Sequence, residues 1–176
     1  MIVVLLGYMG SGKSTVGKKL ATELGYDFLD SDSFIEQQEE LSISKLFEDR
    51  GHIEFRKIEA KAIKKICKTQ LNLVLALGGG TPCYSDTMSF LNQHPSVCTI
   101  YLKSSVKTLA NRLVNKKSNR PLIANLEDNQ LEEFIAKHVF ERSKFYNQAK
   151  LTISVDDLSV ARIVNEVRND LDEYNL

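Results

Sequence analysis

Apolar residues are distributed along this chain in two recurring forms. Short unbroken runs at Ile2–Leu6, Leu73–Leu77 and Val97–Leu102 lack the alternation of a half-solvated strand, so they predict strands buried on both faces of a parallel sheet. Weaker runs at Tyr26–Leu29 and Leu151–Val155 are further strand candidates. Between the runs the spacing changes to the helical period. Ser14–Leu24 reads as a helix stopped by Gly25, and Phe55, Ile58, Ala62, Ile63 and Ile66 fall on one helical face. Val106–Leu113 follows, then a helix from about Asp128 to Tyr146 with Leu131, Phe134, Ile135 and Val139 on one side, and a last one carrying Val160, Ile163, Val164, Val167 and Leu171. This alternation predicts an α/β fold. No repeat, low-complexity tract or linker divides residues 1–176, so one layered domain is expected. The stretch Asn115–Asn125 is polar, holds Pro121 and interrupts two helices, which predicts an exposed, mobile loop and a lid over about 114–126.

Composition narrows the classes of partner. Of 176 residues, 43% are hydrophobic and 26% charged, as in a globular protein. Lys+Arg and Asp+Glu both total 23, leaving no net positive field to hold nucleic acid or an anionic membrane. Any phosphate chemistry must therefore come from a local site. The N-terminus has no basic leader region, and its apolar run is far shorter than the roughly 20 residues of a membrane span, so a cytoplasmic location is expected. Cys67, Cys83 and Cys98 and the three histidines are scattered without metal-ligand spacing, which predicts reduced thiols and no transition metal.

Directly after the first strand, Gly7-Tyr8-Met9-Gly10-Ser11-Gly12-Lys13-Ser14-Thr15 satisfies GxxxxGK[ST] in the required strand, loop, helix setting. Glycines let such a loop turn its N–H groups around phosphate oxygens, and the following helix adds its free N-terminal donors. Lys13 is expected to supply a point charge to the outer phosphates of ATP, and the Ser14 hydroxyl to bind Mg²⁺ directly. The motif alone does not choose an acceptor. A GTPase would add a guanine-reading NKxD, and the nearest match, Asn115-Lys116-Lys117-Ser118, ends in serine. The strand at Leu73 runs into Gly78-Gly79-Gly80 rather than an aspartate, so further help for the metal must come from elsewhere.

Asp30-Ser31-Asp32 supplies it at the carboxyl end of the second strand, where ligand sites of open α/β sheets gather. Asp30 can face the Mg²⁺ through water, while Asp32 accepts a hydrogen bond from an attacking hydroxyl and draws off its proton. Alternatively, Asp32 caps a helix beginning near Ser33. Arg56 lies beside the apolar stripe of its helix, where Glu59 at i+3 could hold it while its other donors meet a ligand anion; a plain surface ion pair is the other reading. Three consecutive glycines at 78–80 leave bare backbone for a ligand to approach.

Taken together, Gly7-x-Met9-Gly10-x-Gly12-Lys13-Ser14, Asp30-x-Asp32, Phe55-Arg56, Gly78-Gly79-Gly80, Arg120-Pro121-Leu122 and Arg142-x-x-x-Tyr146 resemble the shikimate kinases in order and spacing over nearly the whole chain. That resemblance implies the P-loop NTPase fold of the nucleoside monophosphate kinase type, with a five-stranded parallel sheet in the order 2-3-1-4-5. It implies transfer of the γ-phosphoryl of ATP to the 3-hydroxyl of shikimate by a monomer. It also assigns Gly10, Ser11, Gly12, Lys13, Ser14 and Thr15 to ATP, Arg112 to its adenine side, and Arg120 to a lid near its phosphates. Asp32, Arg56, Gly78, Gly79, Gly80 and Arg142 go to the substrate, Phe47 and Phe55 to its apolar wall, and residues of about 32–60 to substrate-binding helices. Lys57 stands where many relatives have a second arginine, and Leu158 where the adenine edge often meets a polar side chain. Two other readings remain at this point: a kinase of the same fold acting on an acid such as gluconate, and a nucleotide-dependent binding protein without a small acceptor.

Overall fold

In the computed structural model, residues 1–114, 123–124 and 126–174 are described. The lid expected over 114–126 therefore falls largely outside the described residues, and Arg120 falls there with it.

Five strands, β1 (Ile2–Leu6), β2 (Asp27–Asp30), β3 (Leu73–Ala76), β4 (Val97–Lys103) and β5 (Leu151–Ser154), form one sheet in the order β2-β3-β1-β4-β5, all pairs parallel. β1 is central, with Val3 paired to Val74 on one side and Cys98 on the other. Its five residues are fully buried because both sheet faces are covered. Ile2, Val4 and Leu6 enter one apolar cluster, and Val3 and Leu5 the opposite one, as the two-residue period of a strand requires. Burial of such a side chain contributes roughly 1.5–3 kcal/mol, so the sheet centre is also the energetic centre.

Helix α1 (Lys13–Leu24) and the last helix, α7 (Val160–Tyr174), cover one face. On the other lie α3 (Ile43–Thr69), α4 (Thr87–Gln93), α5 (Val106–Leu113) and α6 (Asp128–Tyr146). A third cluster, Ile35, Leu46, Phe55 and Ala62, joins the short α2 (Ser31–Glu39) to α3 beyond the edge of the sheet. α3 begins well before the periodic stripe at Phe55, with the Ser42 side chain capping it through the Lys45 N–H at 3.2 Å. It breaks at Gly51, whose φ of 73° and ψ of 171° lie in a region open essentially to glycine alone. α4 has no sequence signal, since only Thr87, Met88 and Leu91 of its seven residues are buried.

Most boundaries differ from expectation by a residue, and the two around Asp30 bear on the site. β2 ends one residue later, at Asp30, and α2 starts at Ser31 rather than near Ser33. The cap of α2 is accordingly Asp30, which accepts from the Asp32 N–H at 3.1 Å, and not Asp32. The Asp32 side chain is thereby left for other work.

Candidate active site

The strand order reverses beside β1, and the crevice at its carboxyl end is where an open α/β sheet presents a ligand site. The loop leaving β1 reaches α1 through Gly12, whose φ of 101° is left-handed, so that α1 opens at Lys13 with its first N–H groups toward the crevice. Lys13 Nζ donates back to the carbonyls of Gly7 (2.8 Å) and Tyr8 (3.0 Å), which places the ammonium across the loop mouth. Arg112, from α5, donates to the carbonyls of Gly10 (3.3 Å), Ser11 (3.4 Å) and Val155 (3.4 Å), bridging the loop and the end of β5. A cavity of about 720 Å³ extends from this loop, lined at one end by Arg112, Leu158, Val160 and Ile163 and at the other by Asp30, Asp32, Gly78 and Gly79. Gly10, Ser11, Gly12, Lys13, Ser14 and Thr15 all line it.

Ser14 Oγ donates to Asp30 Oδ2 at 2.9 Å. A hydroxyl and a carboxylate in contact are hard oxygen donors suited to Mg²⁺, which binds through one or two such groups plus substrate phosphates. Among the described residues no cluster of three or more His, Cys, Asp and Glu could cage a metal.

Asp32 stands deeper in the cavity. Burial, followed by the neighbouring carboxylates of Asp30 and Glu59, pushes its carboxyl up to about 6, with Lys13 opposing. A Cβ on Gly78 would lie 2.6 Å from Asp32 Oδ1 and 2.8 Å from Thr81 Oγ1, so the first glycine of the triplet exists to admit that carboxylate. The triplet is also used by the protein itself. Gly78 N–H donates to Ser31 Oγ at 2.9 Å, and the Gly79 carbonyl accepts from Tyr146 Oη at 2.5 Å and Arg142 Nη1 at 3.4 Å. Burial raises the Tyr146 hydroxyl far above the usual phenol range, so it remains a donor.

Arg56 comes to the same turn from α3. Its Nη1 donates to the buried Glu59, whose other oxygen accepts from Thr81 Oγ1 at 2.6 Å. A Cβ on Gly80 would lie 3.0 Å from Arg56 Nη2, so the third glycine makes room for the guanidinium. Arg56 Nε is buried and has no partner, which costs free energy until an acceptor arrives. With Nη1 engaged, the Nε and Nη2 edge is the fork suited to a carboxylate. Phe47 and Phe55 stack at 4.2 Å between centroids, with the Arg56 guanidinium 5.6 and 5.3 Å from their rings. Arg56, Arg142, Gly80, Phe47 and Phe55 do not line the large cavity; they meet it through the glycine turn.

Several contributors escaped the sequence reading. Tyr8 approaches His138 Nδ1 with its hydroxyl at 3.2 Å and lies 5.3 Å from the Arg142 guanidinium, tying the phosphate loop to α6. The i, i+4 spacing of His138 and Arg142 was the available signal. Thr81 and Tyr84, just past the glycines, had none, because their partners on α3 are more than 20 residues away in the chain.

The known proteins that this chain resembles agree with one another. The shikimate kinase family model matches residues 9–172. A shikimate kinase of Flavobacterium johnsoniae is 44% identical over 165 residues, covering 94% of this chain and 95% of that protein. The crystal structure of shikimate kinase from Bacteroides thetaiotaomicron superposes with a TM-score of 0.91 at 32% identity, covering 98% of both chains. That of the Acinetobacter baumannii enzyme in complex with shikimate gives 0.88 at 30% identity, covering 99% of this chain and 94% of the other. Strand order, glycine loop and the two arginines meeting at one glycine turn thus sit within a sequence likeness spanning almost the entire chain, which belongs to the shikimate kinase family.

Proposed function

We propose that this site phosphorylates the 3-hydroxyl of shikimate with ATP, and that the residues gathered at the glycine turn divide the work as follows. ATP lies along the cavity with its phosphates on the N–H groups of Gly10 to Thr15 and its base toward Arg112, Leu158 and Val160. Shikimate sits at the other end. Arg56 and Arg142 hold its carboxylate, the turn of Gly78, Gly79 and Gly80 meets it with bare backbone, and Phe47 and Phe55 back its apolar face. Asp32 accepts a hydrogen bond from the 3-hydroxyl. In the transfer, the bond from the γ-phosphorus to the oxygen bridging to the β-phosphate breaks, a bond to O3 forms, ADP leaves, and the hydroxyl proton passes to Asp32.

The transition state is loose, so positioning and charge neutralisation supply most of the catalysis. Lys13 neutralises the outer phosphates, and Arg120 adds a second cation there from the lid over about 114–126, excluding water as it does so. Ser14 directly, and Asp30 through water, would hold Mg²⁺, which supplies further charge stabilisation when bound. The reading takes residues 1–176 as one catalytic domain, with the helices of about 32–60 as its substrate side. A monomer in the cytoplasm agrees with its free thiols and with exposed apolar side chains on separate elements, such as Ile53 on α3 and Phe140 on α6. Among the described residues no helix is long and apolar enough to cross a membrane.

The carrying observation is the Arg56 fork, a buried donor without a partner at the glycine turn, whose first residue also admits Asp32. ADP release from MgATP should depend on shikimate and not on gluconate. Equal release with either acid, or release with neither, would remove the assignment.

A further inference from the structure

Tyr84 has no packing reason for its place. It belongs to none of the apolar clusters formed by the described residues, and it is 46% exposed, yet its ring centre lies 4.1 Å from the Arg56 guanidinium carbon. That is nearer than either phenylalanine of the pocket wall. The segment carrying it is fastened to α3 on both sides: before it, Thr81 Oγ1 donates to Glu59, and after it, Lys64 Nζ donates to Asp86 Oδ2 at 2.7 Å. Ser85 between them adopts a left-handed φ of 56°, uncommon for a residue with a side chain, and this turns the chain sharply just after the aromatic ring. Two tethers and a strained turn hold a half-exposed ring against the guanidinium that, among the described residues, has its Nε buried without a partner.

We propose that Tyr84 is a positioning residue for the substrate's carboxylate. Glu59 fixes one end of the Arg56 guanidinium, and the stacked ring fixes its plane, so that the Nε and Nη2 edge is presented to the incoming anion without first losing rotational freedom. The ring also shields that edge from water, which strengthens the charge-assisted hydrogen bonds made there. This inference rests on the reading of Arg56 as the carboxylate clamp.

Steady-state kinetics with MgATP and shikimate test it. Tyr84→Ala should raise the shikimate KM about three- to thirtyfold, the range a cation–π contact spans, while kcat and the ATP KM stay within about twofold. Tyr84→Phe should restore the shikimate KM, and Tyr84→Leu, with bulk but no aromatic face, should not. With the neutral carboxamide of shikimate, Tyr84→Ala should cost nothing, because no anion is left to orient. An unchanged shikimate KM in Tyr84→Ala overturns the proposal, as does equal restoration by Leu and Phe, or a parallel rise in the ATP KM. Arg56→Ala run alongside separates the two layers. If it raises the shikimate KM while Tyr84→Ala does not, only the role of Tyr84 fails; if neither does, the clamp reading fails as well.

Discussion

Asp32 carries the sharpest conflict between stability and use of any side chain at the site. Its carboxyl titrates near 6 in the folded chain and near 3.8 when unfolded, so between those values the folded state binds the proton more tightly. Stability from this group is therefore fully present below about pH 3.8 and is lost as pH rises through 6. On the proposed mechanism activity runs the other way, because only the ionised form can accept the hydroxyl proton. We expect kcat/KM for shikimate to rise through a limb near pH 6. Asp32→Asn should abolish turnover yet melt at a higher temperature than the parent at pH 7.5, with the difference vanishing near pH 3.5. Equal melting temperatures at pH 7.5 would mean the carboxylate is not destabilised by its burial. Arg56 makes the opposite case, a charge whose removal should be felt only by one ligand. Titration calorimetry of Arg56→Ala should show shikimate binding weakened by about 2–5 kcal/mol and nucleotide binding unchanged. A joint loss would mean that Arg56, through Glu59 and Thr81, mainly holds α3 to the glycine turn.

At the scale of elements, the two glycines Gly17 and Gly51 separate fold from function. Gly17 lies where α1 meets the sheet, and a Cβ there would come within 2.6 Å of the Phe28 ring and 3.2 Å of Leu5. Gly51 has open space around it but a backbone conformation closed to other residues. Gly17→Ala should therefore destabilise the whole chain by about 1–3 kcal/mol through overpacking and leave both KM values alone. Gly51→Ala should cost a similar amount, about 1–3 kcal/mol, through backbone strain, and should raise the shikimate KM because the break it relieves sets the angle between the two arms of α3 that carry Phe47 and Arg56. Urea titration with kinetics on each variant distinguishes the two; a shikimate KM unaltered in Gly51→Ala would show the kink to be incidental. The same pair marks what was legible in the sequence. The strands buried on both faces were readable from unbroken apolar runs, and the phosphate loop from its spacing. The kink at Gly51 was not, because nothing local distinguishes a glycine that bends a helix from one that merely interrupts it. α4 was invisible with so few buried side chains, and Thr81 and Tyr84 because their meaning lies in contacts with a distant helix.

For the molecule as a whole, the decisive element is α3. Its first arm sits in the small cluster of Ile35, Leu46, Phe55 and Ala62, and its second enters the large one through Ile63, Ile66 and Cys67. α3, kinked at Gly51, thus couples the α2 side to the sheet, and unfolding either alone would expose the other's apolar surface. We expect a single calorimetric transition with matching calorimetric and van't Hoff enthalpies, as a cooperative domain gives. A ligand at 100 times its Kd stabilises the folded state by about 2.7 kcal/mol, which for a chain of this size is a rise in Tm of about 5–11 °C. On the proposed reading MgADP and shikimate occupy opposite ends of the cavity that Asp32 and Gly79 line, so either alone should move the same single peak. If shikimate instead splits the endotherm, moving a late component and leaving an early one in place, then α2 and the first arm of α3 melt independently of the sheet. The coupling through α3, and with it the description of residues 1–176 as one folding unit, would then have to be abandoned.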